Sequence, residues 1–235
     1  MDAATTSTPA QGMPREHARA IARAFLPAQR WGNRYDYHYV QAKLRTDPLY
    51  PGVLAVLADS PWPILDLGCG LGLLAHALRA DGQWQRYQGV DIDAGKIERA
   101  TQAAARAALP EVAFATADLA RTLPAHQGTV TLLDVLQYLP ATTQSALLAE
   151  SAARLAADAP LVIRTPLAGD HPRGRFTRLA DRLGHVSGWM HSAPRVYPTR
   201  EGLLAQLAAL GLHGHCTPLY GATPFNNWLV VARRR

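Results

Sequence analysis

Seven residues, Asp66-Leu67-Gly68-Cys69-Gly70-Leu71-Gly72, set three glycines at alternate positions behind a carboxylate. Glycine adopts positive φ without steric cost and lets the backbone pass close to a ligand. Where such a loop feeds a helix, the free amides of the helix N-terminus add to its binding capacity. The chemistry on offer is close backbone recognition of a small molecule. Spacing separates the possible ligands. A dinucleotide fingerprint has glycine at positions one, three and six; counted from Gly68, position six is Leu73. A P-loop needs Gly-Lys-Ser/Thr, which the loop lacks. Phosphate cradling is therefore disfavoured, and with it a nicotinamide-dependent reductase.

The elements around the loop must position it. Residues 64–67 form a short apolar run that predicts a strand, and residues 73–79 continue as a helix. Further strands are predicted over 87–91, 112–115, 129–134 and 161–164, with helices over 95–108 and 142–157. A helix over 200–210 and two late strands, 212–217 and 227–232, close the chain. Strands alternating with helices imply an α/β, Rossmann-like, doubly wound and mainly parallel seven-stranded sheet with helices on both faces. Residues 61–235 form this domain, with residues 165–198 as an insertion on the substrate side. Ahead of it, residues 1–14 are expected to be disordered and residues 15–60 to form a helical appendage or lid. Within that appendage, residues 15–26 and 50–58 read as helices, and an aromatic-rich stretch runs from Trp31 to Tyr39. Arg15, Arg19 and Arg23 recur every fourth residue, as on a solvated basic helix face.

In that frame the chain resembles the class I S-adenosylmethionine-dependent methyltransferases over roughly residues 62–165. The first motif of that family, D/E-x-G-x-G-x-G, is matched by Asp66, Gly68, Gly70 and Gly72. The acid ending the second strand is matched by Asp91, the acid after the third by Asp118, and the acid ending the fourth by Asp134, ahead of Val135-Leu136-Gln137-Tyr138. The resemblance implies S-adenosylmethionine as cofactor. It implies that Asp91, with Asp93 as second choice, accepts from both ribose hydroxyls, a charge-assisted contact. Asp118 would accept from the adenine amino group, with the Leu119 backbone beside it. Gly68 and Gly70 would admit the methionine and ribose portions, and Asp66 would orient the loop and approach the ammonium. Cys69, Ile92, Asp134 and Val135 complete the donor-contacting set. Tyr39 and Lys43 precede the fold where relatives keep a lid; an aromatic face attracts a sulfonium, and Lys43 would meet the cofactor carboxylate.

Methyl transfer is an in-line displacement that draws much of its rate from alignment, and a hydroxyl acceptor profits from a base. The candidates for that catalytic role are Tyr138, His185 and His191. The insertion also carries Arg173, Arg175, Arg178, Arg182 and Arg195 with Trp189, Met190 and Tyr197, a mix that suits an acidic, aromatic or acyl acceptor. The segment from Lys43 to Pro51 resembles methyltransferases encoded with bacterial aryl polyene pigment pathways. The implied activity is methyl transfer to a small molecule. The other reading is a catalytically inactive S-adenosylmethionine-binding partner or regulator.

Composition agrees. A chain of 235 residues, 48% hydrophobic and 18% charged, can bury a full α/β core. Two cysteines provide neither a disulfide framework nor a four-cysteine zinc site, and no metal site is expected. No apolar run reaches membrane-spanning length and the first residues lack a signal-peptide core, so a cytoplasmic protein is expected. The net charge of +6 concentrates in residues 166–235, with nine Lys/Arg against three Asp/Glu. No nucleic-acid partner is expected, because the turn after the fourth strand lacks the Pro-Pro pair of amino-methylating enzymes. The oligomeric state is not legible.

Overall fold

The computed structural model describes residues 11–29, 32–168, 196–221, 223 and 226–234. Seven strands form one sheet: β1 Ile64–Leu67, β2 Tyr87–Asp91, β3 Val112–Thr116, β4 Thr129–Leu133, β5 Leu161–Pro166, β6 Leu212–Pro218 and β7 Asn227–Arg234. Their order is β3-β2-β1-β4-β5-β7-β6. The first five pair in parallel, and β7 runs antiparallel to both β5 and β6. The described helices are α1 Arg15–Arg23, α2 Tyr35–Thr46, α3 Leu49–Leu57, α4 Leu73–Ala80, α5 Ala94–Arg106, α6 Ala141–Ala153 and α7 Arg200–Ala209. The expected doubly wound, mainly parallel α/β architecture is present.

The order of strand addition reverses between β1 and β4, which run parallel: β2 and β3 lie to one side of β1, and β4 and β5 to the other. Open α/β sheets bind ligands in the crevice at the carboxyl ends of strands beside such a switch point. The loop after β1, the end of β2 and the turn after β4 all open there.

Strands buried on both faces divide their side chains between two cores. Leu65, Leu67, Val90, Val130, Leu132, Leu161 and Ile163 pack with α6 and α7. Ile64, Tyr87 and Val162 face the other side with α1 to α4. On that second face the alternation also places four polar residues, Tyr87, Asp66, Thr131 and Arg164, on β2, β1, β4 and β5. These polar residues lie under the N-terminal helices and lead into the crevice.

Of residues 1–14, expected to be disordered, residues 11–14 are among those described. Met13 is buried and its amide donates to the Leu44 carbonyl at 2.7 Å. The basic helix ends at Arg23, before Leu26. The tyrosine-rich stretch becomes α2, in which Tyr35 and Tyr39 stack at 6.4 Å on one face. Val40 and Leu44 are fully buried on α2, and each contributes about 2 kcal/mol of apolar burial. Arg106 of α5 donates to the carbonyls of Ala24 and Leu26, and Arg99 pairs with Asp36 at 3.1 Å, fastening α1 and α2 to the sheet's helical layer. Among the described residues, no helix is long and apolar enough to cross a membrane, and no group of three or more His, Cys, Asp or Glu could hold a metal ion.

Candidate functional site

The glycine loop is folded over the end of β2. The amides of Gly68 and Cys69 both donate to the Val90 carbonyl, at 2.7 and 3.0 Å. All three loop glycines have positive φ, +80° at Gly68, +55° at Gly70 and +69° at Gly72. Their surroundings differ. A Cβ on Gly68 would lie 2.4 Å from Val135 Cγ2, and one on Gly72 would lie 2.4 Å from the Phe114 ring. A Cβ on Gly70 would meet nothing within 4 Å. Two glycines are thus required by packing inside the protein, whereas the third borders open space at the crevice.

Asp91 ties the loop to β2. Its Oδ2 accepts from the Gly70 amide and its Oδ1 from the Asp93 amide, both at 2.9 Å. A carboxylate has about four lone-pair sites, so two backbone donors leave capacity for two more. Asp93 uses its own side chain to accept from the Lys96 amide and cap α5. Ile92, between the two acids, is 66% exposed. The Ala117 amide donates to the Asp91 carbonyl at 3.0 Å, which brings the Asp118–Leu119 turn beside the same strand end. Asp118 Oδ1 accepts from the Ala120 amide, and Leu119 is half-buried against the core that the sheet shares with α6 and α7.

Asp66 lies beneath the loop rather than in its mouth. It is 2% exposed, and its two oxygens accept from Tyr87 Oη and Thr131 Oγ1, each at 2.6 Å. Burial pushes its pKa up to about 6 against the lowering effect of those two bonds. The structure therefore makes Asp66 the foundation of the loop, and its expected approach to a ligand ammonium has no open path at this carboxylate. Cys69 turns inward over β2, where a Cβ on Gly89 would lie 2.8 Å from its sulfur, and burial drives its thiol pKa up.

The other wall follows β4. Asp134 has φ +60°, an unusual value for a residue with a side chain, and Val135 after it covers Gly68. Tyr138 sits half-buried in a single 3₁₀ turn, Leu136–Tyr138. Gln144 of α6 holds that turn by donating to the carbonyls of Leu136 and Leu139. His185 and His191, with the arginines and aromatics of the insertion up to Arg195, lie outside the described residues.

A cluster of four ionised groups closes this wall, and sequence reasoning found half of it. Arg164 Nη1 donates to Asp47 Oδ2 at 2.9 Å and Asp134 Oδ2 at 2.7 Å. Lys43 Nζ reaches the same two oxygens, at 2.6 and 3.5 Å. Lys43 therefore already bridges two carboxylates where it was expected to meet a ligand's. Burial opposes its charge, but Asp134 and Asp47 outweigh burial and hold its pKa above the ordinary lysine value. The same balance, burial outweighed by opposite charges, lowers the Asp47 pKa and raises that of Arg164. Tyr39 stands half-buried beside them, with burial raising its hydroxyl pKa. Asp47 and Arg164 were missed. The available signal was an arginine inside the otherwise uncharged strand Leu-Val-Ile-Arg-Thr, which demands a buried partner.

Comparison with known proteins fits this geometry. Residues 64–158 match the family model described as a methyltransferase domain. No curated protein matches the chain. Among solved structures, the magnesium protoporphyrin IX methyltransferase of Synechocystis, with bound SAH, is similar over 91% of this chain and 92% of its own, at 21% identity and TM-score 0.63. The mitomycin 7-O-methyltransferase is similar at 20% identity and TM-score 0.65, over 86% of this chain and 57% of its own. An O-methyltransferase from neocarzinostatin biosynthesis, in complex with SAH and 1,4-dihydroxy-2-naphthoic acid, is similar at 20% identity and TM-score 0.62, over 84% and 56%. At these identities the likeness is one of fold.

Proposed function

Taking as premise the match of residues 64–158 to a methyltransferase domain, we propose that the chain moves a methyl group from S-adenosylmethionine to a small-molecule acceptor. The observation that carries this reading is the pairing of Gly70 and Asp91. A loop glycine bordered by open space lies against a carboxylate whose two oxygens each take one backbone amide and keep capacity for a hydroxyl. That donor set suits a ribose diol, and the exposed Ile92 beside it suits an adenine face.

The residues divide the work as follows. Asp91 accepts from the ribose hydroxyls, Ile92 and Leu119 border the adenine, and Asp118 accepts from its amino group. Gly68, Cys69, Gly70 and Gly72 present backbone to the remainder of the donor, with Asp66 setting the loop from below. Asp134, Val135, Tyr39 and Lys43 form the wall at the methionine end. When bound, the donor supplies an electrophilic methyl on a sulfonium, and the protein's task is to align the acceptor behind it and exclude water. Tyr138, at the rim of the β4 wall, and His185 and His191 of the insertion are the residues proposed to take a proton from a hydroxyl acceptor.

The acceptor is proposed to be acidic, aromatic or acyl, on the strength of the arginine- and aromatic-rich insertion. A neighbour of this fold in complex with a naphthoic acid supports the same class. Isothermal titration with S-adenosylmethionine, followed by a turnover screen over aromatic acids, phenols and acyl thioesters, tests the reading. Binding with turnover in one class supports it. Binding without turnover in any class favours the non-catalytic partner, and no binding removes it.

A further inference from the structure

Arg164 is 1% exposed and occupies β5 among uncharged neighbours. A buried guanidinium in an otherwise uncharged strand is costly unless its partners are excellent. What it touches is informative. The Arg164 carbonyl accepts from the Asp134 amide at 2.8 Å, while its Nη1 donates to Asp134 Oδ2 at 2.7 Å. One residue thus grips Asp134 by backbone and side chain together. Asp134 needs this grip, because its φ of +60° is a conformation that side-chain-bearing residues adopt at a cost of about 1–3 kcal/mol. Val135, the next residue, is the one that packs onto Gly68. Nη1 also reaches Asp47, whose other oxygen accepts from the Leu49 amide and so starts α3. The Arg164 guanidinium joins the strained turn after β4, the glycine loop beyond it and the α2–α3 corner.

We propose that Arg164 is a positioning residue for donor binding: it fixes Asp134 and, through Val135, the glycine loop, and it neutralises Asp134 together with Asp47. This inference rests on the methyl-donor reading of the crevice. It goes beyond that reading because Arg164 lies on the strand behind the site and outside the donor-contacting set.

Charge balance is the core of the argument. Lys43 and Arg164 against Asp47 and Asp134 sum to neutrality. Without Arg164, two carboxylates share one lysine in a poorly solvated place, so one of them binds a proton at a higher pH than before. The groups facing the pair are Tyr39 and Lys43 from α2 and Tyr50 from α3, with Asp66 further under the loop. None of these supplies a second permanent cation.

The test uses S-adenosylhomocysteine as probe, titrated calorimetrically into the full chain between pH 6 and 8.5. Arg164→Met is expected to weaken binding about thirtyfold at pH 8, and less at pH 6, as the pair takes up a proton. Adding Asp47→Asn to Arg164→Met restores neutrality and is expected to recover most of the affinity and to flatten the variant-to-wild-type ratio across pH. Arg164→Lys keeps the charge without the planar fork and is expected to lose about fivefold; this variant decides if Arg164→Met does not fold. Wild-type affinity in Arg164→Met or Arg164→Lys overturns the proposal, as does a double variant no better than the single. A purely structural role would lower Tm in each variant and leave the pH ratio flat, which also overturns it. Failure of the wild-type chain to bind the probe is a different outcome: it removes the methyl-donor reading itself.

Discussion

The two walls of the crevice hold a carboxylate by opposite means. At the end of β2, Asp91 is held by backbone amides, from Gly70 and Asp93, and carries no partner cation among its hydrogen-bond donors. At the end of β4, Asp134 is held by two cationic side chains, and a third link runs to Asp47. Backbone amides cannot be titrated or swapped, so the first wall is as rigid as the glycine geometry that aims them. Ionised side chains depend on a count of charges, so the second wall is sensitive to any substitution that unbalances it. The contrast suits the division of labour proposed here. In that proposal the first wall would recognise the methyl donor, and the second would border the N-terminal cover and the acceptor.

This comparison can be broken at several points. The largest effect is expected from Asp91→Ala, which removes the loop's tether and the acceptor for two hydroxyls together. Charge-assisted bonds of this kind contribute about 1.5–3 kcal/mol each, so donor affinity should fall about a thousandfold by calorimetry. A drop under tenfold would separate Asp91 from the donor.

The glycines sharpen the first wall. Gly72→Ala drives a methyl into the Phe114 ring in a left-handed conformation. Chemical denaturation should show a loss of about 3 kcal/mol from strain and overpacking combined. Gly70→Ala meets no neighbour and should cost only about 1 kcal/mol of stability, yet lose most donor binding. Equal stability losses for the two would contradict the assignment of Gly70 to the ligand side.

Acid should act first on the helical cover. His76 of α4 is buried against Phe25, with ring centroids 5.2 Å apart, and burial lowers its pKa to about 4 from 6.5. Because the folded-state value is the lower one, the unfolded chain binds the proton more readily. Stability is therefore undiminished well above pH 6.5 and declines as pH falls toward 4, by about 3 kcal/mol. Asp66 opposes this trend. Its folded value of about 6 exceeds the ordinary 3.8, so it becomes easier to bury as pH falls from 6. His76→Leu isolates the first contribution: its stability should exceed that of wild type increasingly from pH 6.5 to 4.5. Parallel stability curves would contradict the buried neutral histidine.

The smallest effect is expected at the clamp between layers. Arg106→Ala removes two bonds to the carbonyls of Ala24 and Leu26 at a largely exposed site. A loss of about 1 kcal/mol is expected by denaturation, with donor affinity unchanged. A larger change in affinity than in stability would couple α1 to the crevice directly.

How much of this was legible in the residues follows from the same contrast. The glycine loop was readable because the local backbone dictates it, and Asp91 was singled out by the resemblance; Gly70 and Asp91 are only 21 positions apart in the chain. All seven strands and their alternation with helices followed from apolar runs punctuated by glycine and proline. The second wall was not readable as a unit, because Arg164 meets Asp47 across 117 positions and Lys43 meets Asp134 across 91. Such pairs depend on which face a strand presents and where a distant helix packs, and neither is encoded in local spacing. Lys43 and Asp134 were singled out, but each for a ligand rather than for the other. Helix α2 was hidden because Tyr35, Tyr37 and Tyr39 fall at alternate positions and obscure the period-four spacing of Val40 and Leu44. Asp66 was recognised as part of the loop motif, but its burial depends on Thr131 and Tyr87, contributed by β4 and β2.

The most direct test of the central claim is a crystal structure of the wild-type chain with S-adenosylhomocysteine. The account predicts ribose hydroxyls within hydrogen-bond distance of both Asp91 oxygens and ligand atoms in van der Waals contact with Gly70. Ligand bound elsewhere, or an Asp91 carboxylate turned away from it, would contradict the account.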